Sequence, residues 1–378
     1  MAIDALNFHE LRQLAKARLP RGIFEYIDRG SEDERGLQHL RNLFDEHRIA
    51  PHVLTGGETR SLAVELFGER YASPLIAAPT AFTGLVWHKG EVALAHAAAA
   101  AGIPYCAATE AVTSIEEIAA ASSRPVWFQL YLWEDKRLWK RLLETAWACG
   151  VRTLVLTVDT PVFAKREFNL RNGFGIPFRF SAKNMLDVVT HPRWAFQVLG
   201  RYAISGALPD FANYPPEYRH NILGRGPKAR MRHMPGLSWD HIGDVRREWK
   251  GNLLLKGILR PDDAVKAASA GMNGIVVSSH GARNLDSAAA PIEVLQRITE
   301  TAGNHLTILA DSGIQRGSDI YKLLASGAKA VMVGRAFLYG TAVAGQAGAE
   351  HSINMLTGEL DTTMALAGCS SVCSINPD

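Results

Sequence analysis

Cysteine is scarce: the 378 residues hold four, Cys106, Cys149, Cys369 and Cys373. Scattered as they are, they build no disulfide framework, and the CxxxC near the C terminus has no second pair with which to hold zinc. A reducing cytoplasm is the expected setting, and no metal site is expected. Long apolar runs are missing too. None approaches the roughly 18 uninterrupted apolar residues of a membrane span, and residues 1–20 carry charge throughout, unlike a secretory signal. Nor is there a strong net charge: 41 Lys and Arg stand against 38 Asp and Glu, a formal +3. So small an excess gives no reason to expect a nucleic-acid partner. What the chain does have is 47% hydrophobic and 21% charged residues, a soluble globular composition able to bury a sizeable core.

Residues 1–45 read as helical, with Leu6, Leu11, Leu14, Ile23, Phe24 and Ile27 set among charges and a break at Pro20. They are expected to form an N-terminal cap. From about residue 73 short apolar runs alternate with Ala-rich or charged helical stretches. Eight runs have strand character, at 74–80, 103–108, 126–131, 153–159, 253–257, 274–279, 306–311 and 330–334. Helical periodicity fills 90–101, 115–121, 135–149, 261–270, 291–302 and 317–326. Apolar strands alternating with helices predict parallel strands covered on the outside, and eight such units predict an α/β fold of the (β/α)8 TIM-barrel type. A doubly wound sheet would place GxGxxG after its first strand, whereas that turn reads Pro79-Thr80-Ala81-Phe82-Thr83-Gly84. Residues 1–378 are therefore expected to form one barrel domain.

One stretch breaks the alternation. More than ninety residues separate the fourth and fifth runs, far beyond an ordinary connection. Within 177–236, nine Lys and Arg face three acids, a net of +6, which leaves −3 for the rest of the chain. The same window holds Trp194, Phe196, Tyr202, Phe211, Tyr214 and seven of the seventeen prolines. This basic, aromatic insertion is expected either to pack over the barrel mouth with a solvated face or to dock on a membrane surface or partner.

Function in such a barrel sits at the C-terminal strand ends, and polar residues crowd there. The runs end in Gln129-Leu130-Tyr131, Thr157-Val158-Asp159, Lys256-Gly257, Ser278-Ser279-His280-Gly281-Ala282-Arg283, Asp311-Ser312-Gly313 and Gly334-Arg335. Glycines ending the last two strands, with Arg335 beside them, match the usual phosphate site of these barrels and imply a phosphorylated ligand.

The runs SSHGARNLD (278–286), DSGIQRGSDIYKLLASGAKAVMVGRAFLYG (311–340), WFQLY (127–131), LTVDTP (156–161) and IFEYIDRGSEDE (23–34) resemble the FMN-dependent α-hydroxy-acid oxidase and dehydrogenase family. The resemblance spans the chain, including HPRWAF (191–196) of the insertion, which is similar to the membrane-associated members. It implies that His280 is the catalytic base and Asp159 the carboxylate that stabilises its imidazolium. It implies Arg166 and Arg283 around the substrate carboxylate, with Arg283 the bidentate partner, and Tyr26 and Tyr131 bonded to the substrate. Gln129 and Thr157 correspond to residues on the flavin's polar edge and Lys256 to the cation beside its N1 and C2 carbonyl. Pro79, Thr80 and Ala81 would lie on the N5 side, with Ala108 and Ser278 also at the cofactor. The phosphate would fall to 311–315, including Asp311, Gly313 and Gln315, together with Gly334 and Arg335.

Four positions depart from the family pattern: Gln315 for an arginine, Ala108 for a serine, Ala282 in the usual HGGR, and Ser279 for an asparagine. Loss of the arginine at Gln315 predicts weaker FMN retention unless Arg316 or the insertion compensates. Glu110 stands at a substrate-lining position that is usually apolar or aromatic. It is expected to turn to solvent or pair with a cation, or else to accept a hydrogen bond from a substrate bearing a hydroxyl, amine or amide. The function implied is oxidation of an L-2-hydroxy acid, such as mandelate or lactate, to the 2-oxo acid. Electrons would pass to quinone, O2 or a redox protein, by a homotetramer in the cytoplasm or on the inner face of its membrane. Alternatives are a soluble oxidase using O2, a flavin barrel of the type 2 isopentenyl-diphosphate isomerase kind, and a binding protein that has lost FMN.

Overall fold

The structure, a computed structural model, describes residues 3–56, 59–175, 178, 181–206, 208–224, 227 and 231–375. Among the described residues ten strands run in chain order: β1 Val64–Leu66, β2 Glu69–Tyr71, β3 Leu75–Ala77, β4 Cys106–Ala108, β5 Trp127–Leu130, β6 Thr153–Thr157, β7 Asn252–Ile258, β8 Gly274–Val277, β9 Thr307–Ala310 and β10 Ala330–Val333. The last eight are the eight sequence runs, seven of them trimmed and β7 one residue longer at each end. They pair in parallel in the order β3-β10-β9-β8-β7-β6-β5-β4. A single bridge from Ala77 to Tyr105 brings β3 and β4 together, so the barrel is nearly closed.

The strands are apolar on both faces because both are buried. Ile76, Cys106, Trp127, Val155, Leu254 and Val276 point inward as one cluster. Their neighbours Leu75, Ala107, Phe128, Leu154, Leu253 and Ile275 face the surrounding helices in a second. The sequence reading missed the antiparallel hairpin β1–β2. Phe67 and Gly68 turn it with φ of +55° and +82°, the left-handed pair a two-residue hairpin needs. Phe67 then meets Trp127 edge-on at 5.7 Å, and the hairpin joins the inner cluster.

The N-terminal cap forms three helices, Phe8–Arg18, Arg21–Asp28 and Arg35–Glu46. Pro20 breaks the chain as expected, and a second break at 29–34 was not. There Glu34, at φ +61°, accepts the Gly30 amide at 2.8 Å and pairs with Arg29. The cap is tied to the C-terminal strand ends, where Ser31 donates its amide to the Ala282 carbonyl at 3.0 Å and its hydroxyl to that of Asn284 at 2.7 Å.

The insertion has one anchored and one exposed face. The Trp194 indole donates to the Leu85 carbonyl at 2.7 Å, the Tyr202 hydroxyl accepts the Lys89 amide at 3.1 Å, and Asn213 bonds Ile115 and Ala108 at 2.8 and 3.1 Å. These contacts hold it against the loops that follow β3 and β4. On its helices at Ala182–Thr190 and 192–204, the apolar side chains Leu186, Val189, Phe196 and Ile204 are 65–89% exposed, beside exposed Lys183, Arg193 and Arg201. Arg179, Arg225, Lys228 and Arg230 of the basic window lie outside the described residues. No described helix is long and apolar enough to cross a membrane.

Candidate active site

A cavity of about 970 Å³ opens at the C-terminal end of the barrel, between the strand ends and the cap. Nearly all the residues singled out in the sequence line it. Pro79, Thr80 and Ala81 follow β3, Ala108 and Glu110 come at the end of β4, and Gln129 and Tyr131 at the end of β5. Thr157 and Arg166 come from β6 and its loop, Lys256 from β7, and His280 and Arg283 from the turn after β8. Asp311, Gly313 and Gln315 follow β9, Gly334 and Arg335 follow β10, and Tyr26 reaches in from the cap. Asp159 and Ser278 do not line it: each stands behind a residue that does.

Asp159 stands behind His280, with Oδ1 2.9 Å from Nδ1. Nδ1–H donates to the carboxylate, which leaves Nε2 facing the cavity, 3.5 Å from the Tyr131 hydroxyl. Burial lowers the His280 pKa below its ordinary value, against the pull of Asp159 and with the help of Lys256, so the ring rests as a neutral base. Burial acts against the Asp159 charge as well, but His280 and Lys256 hold its pKa below the usual carboxylate range. Gly257, at φ +109°, is obligatory in this arrangement, because a Cβ there would collide with the Asp159 side chain.

Ser278 stands behind Lys256 and accepts from its ammonium at 2.9 Å, while Asp311 pairs with the same group at 3.0 Å. Burial disfavours the charged lysine, but Asp311 and Asp159 outweigh it and raise its pKa. The Gln129 amide donates to the Thr157 hydroxyl at 3.0 Å, leaving a buried polar edge beside a fixed cation. Thr109, missed in the sequence, positions this edge. Its amide donates to Gln129 Oε1 at 3.2 Å, and its hydroxyl donates to the Gln129 carbonyl at 2.6 Å.

Positive charge is concentrated without counter-charge. Arg166, Arg283 and Arg335 line the cavity and make no ion pair among the described residues. Arg335 donates to the carbonyls of Ile27, Arg29 and Gly281, at 3.2, 3.3 and 2.9 Å. Arg283 bonds the Tyr26 and Arg29 carbonyls and lies over the Tyr26 ring at 4.7 Å. All but that of Gly281 belong to the C-terminal end of the helix Arg21–Asp28 and the residue after it, where the helix dipole favours cations. Burial and the neighbouring Arg166 still pull the Arg283 pKa down to about 9, and burial lowers that of Arg335. Such a cluster is completed by anions.

Two sets of alternatives narrow here. Arg316 does not make good the charge missing at Gln315, because its guanidinium turns outward to Glu359 at 2.7 Å. Of the alternatives for Glu110, solvent is not the one taken: it accepts from Tyr214 at 3.1 Å and meets His233 Nε2 at 3.4 Å, an ion pair when that imidazole is protonated. Ala282, where the family has glycine, sits at φ +57° and completes a left-handed run with His280 and Gly281. His233 carries no local signal in the sequence. Glu91 does, as an acid within an alanine-rich helix. It is fully buried and accepts from the Gly84 and Val112 amides and the Thr113 hydroxyl, tying together the loops after β3 and β4.

The residues present suit FMN. The cavity has the volume of a cofactor site, its polar edge and buried lysine suit the flavin ring, and the unpaired arginines and strand-end glycines suit a phosphate. Among known proteins, the chain is 36% identical to (S)-mandelate dehydrogenase of Pseudomonas putida over 100% of this chain and 94% of that one. It is 41% identical to an L-lactate dehydrogenase of Xanthomonas euvesicatoria, covering 100% and 96%. The crystal structure of the monotopic membrane protein (S)-mandelate dehydrogenase superposes with a TM-score of 0.92 at 36% identity, covering all of this chain and 99% of the other. The profile of one family, FMN-dependent dehydrogenase, matches residues 15–378. The chain belongs to the FMN-dependent dehydrogenase family.

Proposed function

We propose that the protein oxidises an L-2-hydroxy acid to the 2-oxo acid and passes the electrons to a membrane quinone. The observation that carries this reading is the conjunction of a neutral, Asp159-backed His280 with unpaired Arg283 and Arg166. That arrangement suits a substrate which is both an acid to be gripped and a proton donor. Planar guanidinium and planar carboxylate pair through two parallel hydrogen bonds, which orient the α-carbon as well as bind it. His280 takes the substrate's proton on Nε2, and Asp159 stabilises the imidazolium that results. Tyr131 orients the substrate oxygen beside Nε2, and Tyr26, under the Arg283 guanidinium, would hydrogen-bond the substrate as well. Bound FMN supplies the two-electron acceptor. Lys256, Gln129 and Thr157 would hold its polar edge, and Arg335, Gly313 and Gly334 its phosphate.

The quinone reading rests on the insertion, whose exposed apolar and basic side chains suit an anionic membrane surface. It places the protein on the inner face of the cytoplasmic membrane, and a homotetramer belongs to the same reading. Stopped-flow reoxidation of the substrate-reduced enzyme separates the acceptors. Reoxidation by a quinone analogue is expected to outpace that by O2 at equal concentration. Fast reaction with O2 alone would replace the membrane dehydrogenase with a soluble oxidase.

A further inference from the structure

Among the described residues five carboxylates line the cavity, and four of them face a lysine or an arginine. Glu25 meets Arg21, Asp28 meets Arg12, Glu34 meets Arg29 and Asp311 meets Lys256. Glu110 is the exception, with neither Lys nor Arg beside it among the described residues. Its Oε1 takes both the Tyr214 hydroxyl and the His233 imidazole, at 3.1 and 3.4 Å. Its Oε2 takes no hydrogen bond among the described residues and is not fully buried, and the residue lines the cavity. A carboxylate oxygen accepts more than one hydrogen bond, so this one has acceptor capacity to spare for a ligand.

Glu110 is fixed relative to the reacting end through a short chain of contacts. The Tyr131 hydroxyl lies 3.5 Å from His280, the Tyr131 ring stacks on His233 at 4.9 Å and 16°, and His233 reaches Glu110. Phe163, itself largely exposed, also meets His233, at 5.3 Å, and lines the cavity rim. The space beyond the base therefore has aromatic walls and ends in a hydrogen-bond acceptor. A neutral donor suits it better than a cation, because the imidazole shares the same carboxylate.

We propose that the substrate is an aryl 2-hydroxy acid whose ring carries a hydrogen-bond donor, such as a phenolic hydroxyl, accepted by Glu110. This inference rests on the 2-hydroxy-acid reading. The test compares kcat/KM of the holoenzyme for (S)-4-hydroxymandelate and (S)-3-hydroxymandelate with that for the methyl compounds of nearly equal size. The better hydroxy compound is expected to win by about tenfold or more, since a site built around a donor rejects its absence. In Glu110→Ala that ratio is expected to fall to about threefold or less. Glu110→Gln keeps the volume and a carbonyl acceptor, and is expected to retain part of the preference; it carries the test if the alanine variant fails to fold. Equal rates for hydroxy and methyl compounds in the wild type, or a preference unchanged in the variants, would overturn the inference while leaving 2-hydroxy-acid oxidation intact. An FMN-loaded enzyme that no 2-hydroxy acid reduces would overturn both.

Discussion

His280 stands in the left-handed region of backbone space, at φ +56°, with Gly281 and Ala282 following at +63° and +57°. Outside glycine each such residue costs roughly 1–2 kcal/mol, so the turn must be held from outside. Ser278 accepts the His280 amide at 3.0 Å and Ser312 accepts that of Gly281 at 2.9 Å. The strain places Nδ1 on Asp159 and leaves Nε2 for the substrate. A pH profile reads both working groups. His280 must be neutral to act, and its pKa lies below the ordinary histidine value, so the acid limb of kcat/KM is expected below about pH 6.5. Arg283 must be charged to bind a carboxylate, and burial beside Arg166 lowers its pKa, so any loss of binding is expected only on the alkaline side. An acid limb above pH 7 would contradict a neutral resting His280.

At the scale of elements, the barrel strands were legible because burial on both faces leaves an unbroken apolar run, and the helices between them because their apolar residues recur at the helical period. The β1–β2 hairpin was not, since three-residue strands are too short to show alternation, and the break at 29–34 depends on Glu34 folding back on Gly30. Most of the site was legible as polar residues ending apolar strands. His233 was not, because its place beside Glu110 and Tyr131 is made by the return of the insertion over the mouth. There the Met234 amide donates to the Leu132 carbonyl at 2.7 Å. The exposed face of the insertion makes its own prediction. Phe196→Ser with Ile204→Ser is expected to weaken binding to anionic phospholipid vesicles by about tenfold or more in co-sedimentation. Trp194 and Tyr202 keep the segment anchored, so the catalytic rate with a soluble dye acceptor should change little. Unaltered vesicle binding would remove the insertion as the membrane-docking face.

For the whole molecule, the cap, the barrel mouth and the insertion each contribute to one cavity, and the charges within it divide the labour. Lys256 is neutralised by Asp311, whereas Arg166, Arg283 and Arg335 rely on backbone carbonyls until anions arrive. The net charge of +3 is thus a poor guide. The basic insertion and the arginines of the cavity, each offset elsewhere in the chain, are what bear on function. Anaerobic mixing of the FMN-loaded enzyme with (S)-2-hydroxy acids, mandelate, 4-hydroxymandelate and lactate among them, tests the central claim most directly. Flavin absorbance is expected to bleach with at least one of them, and the 2-oxo acid to appear in equal amount. In His280→Ala carrying the same FMN, bleaching should slow by about a thousandfold. Flavin that stays oxidised under every acid, or bleaches as fast without His280, would contradict the account.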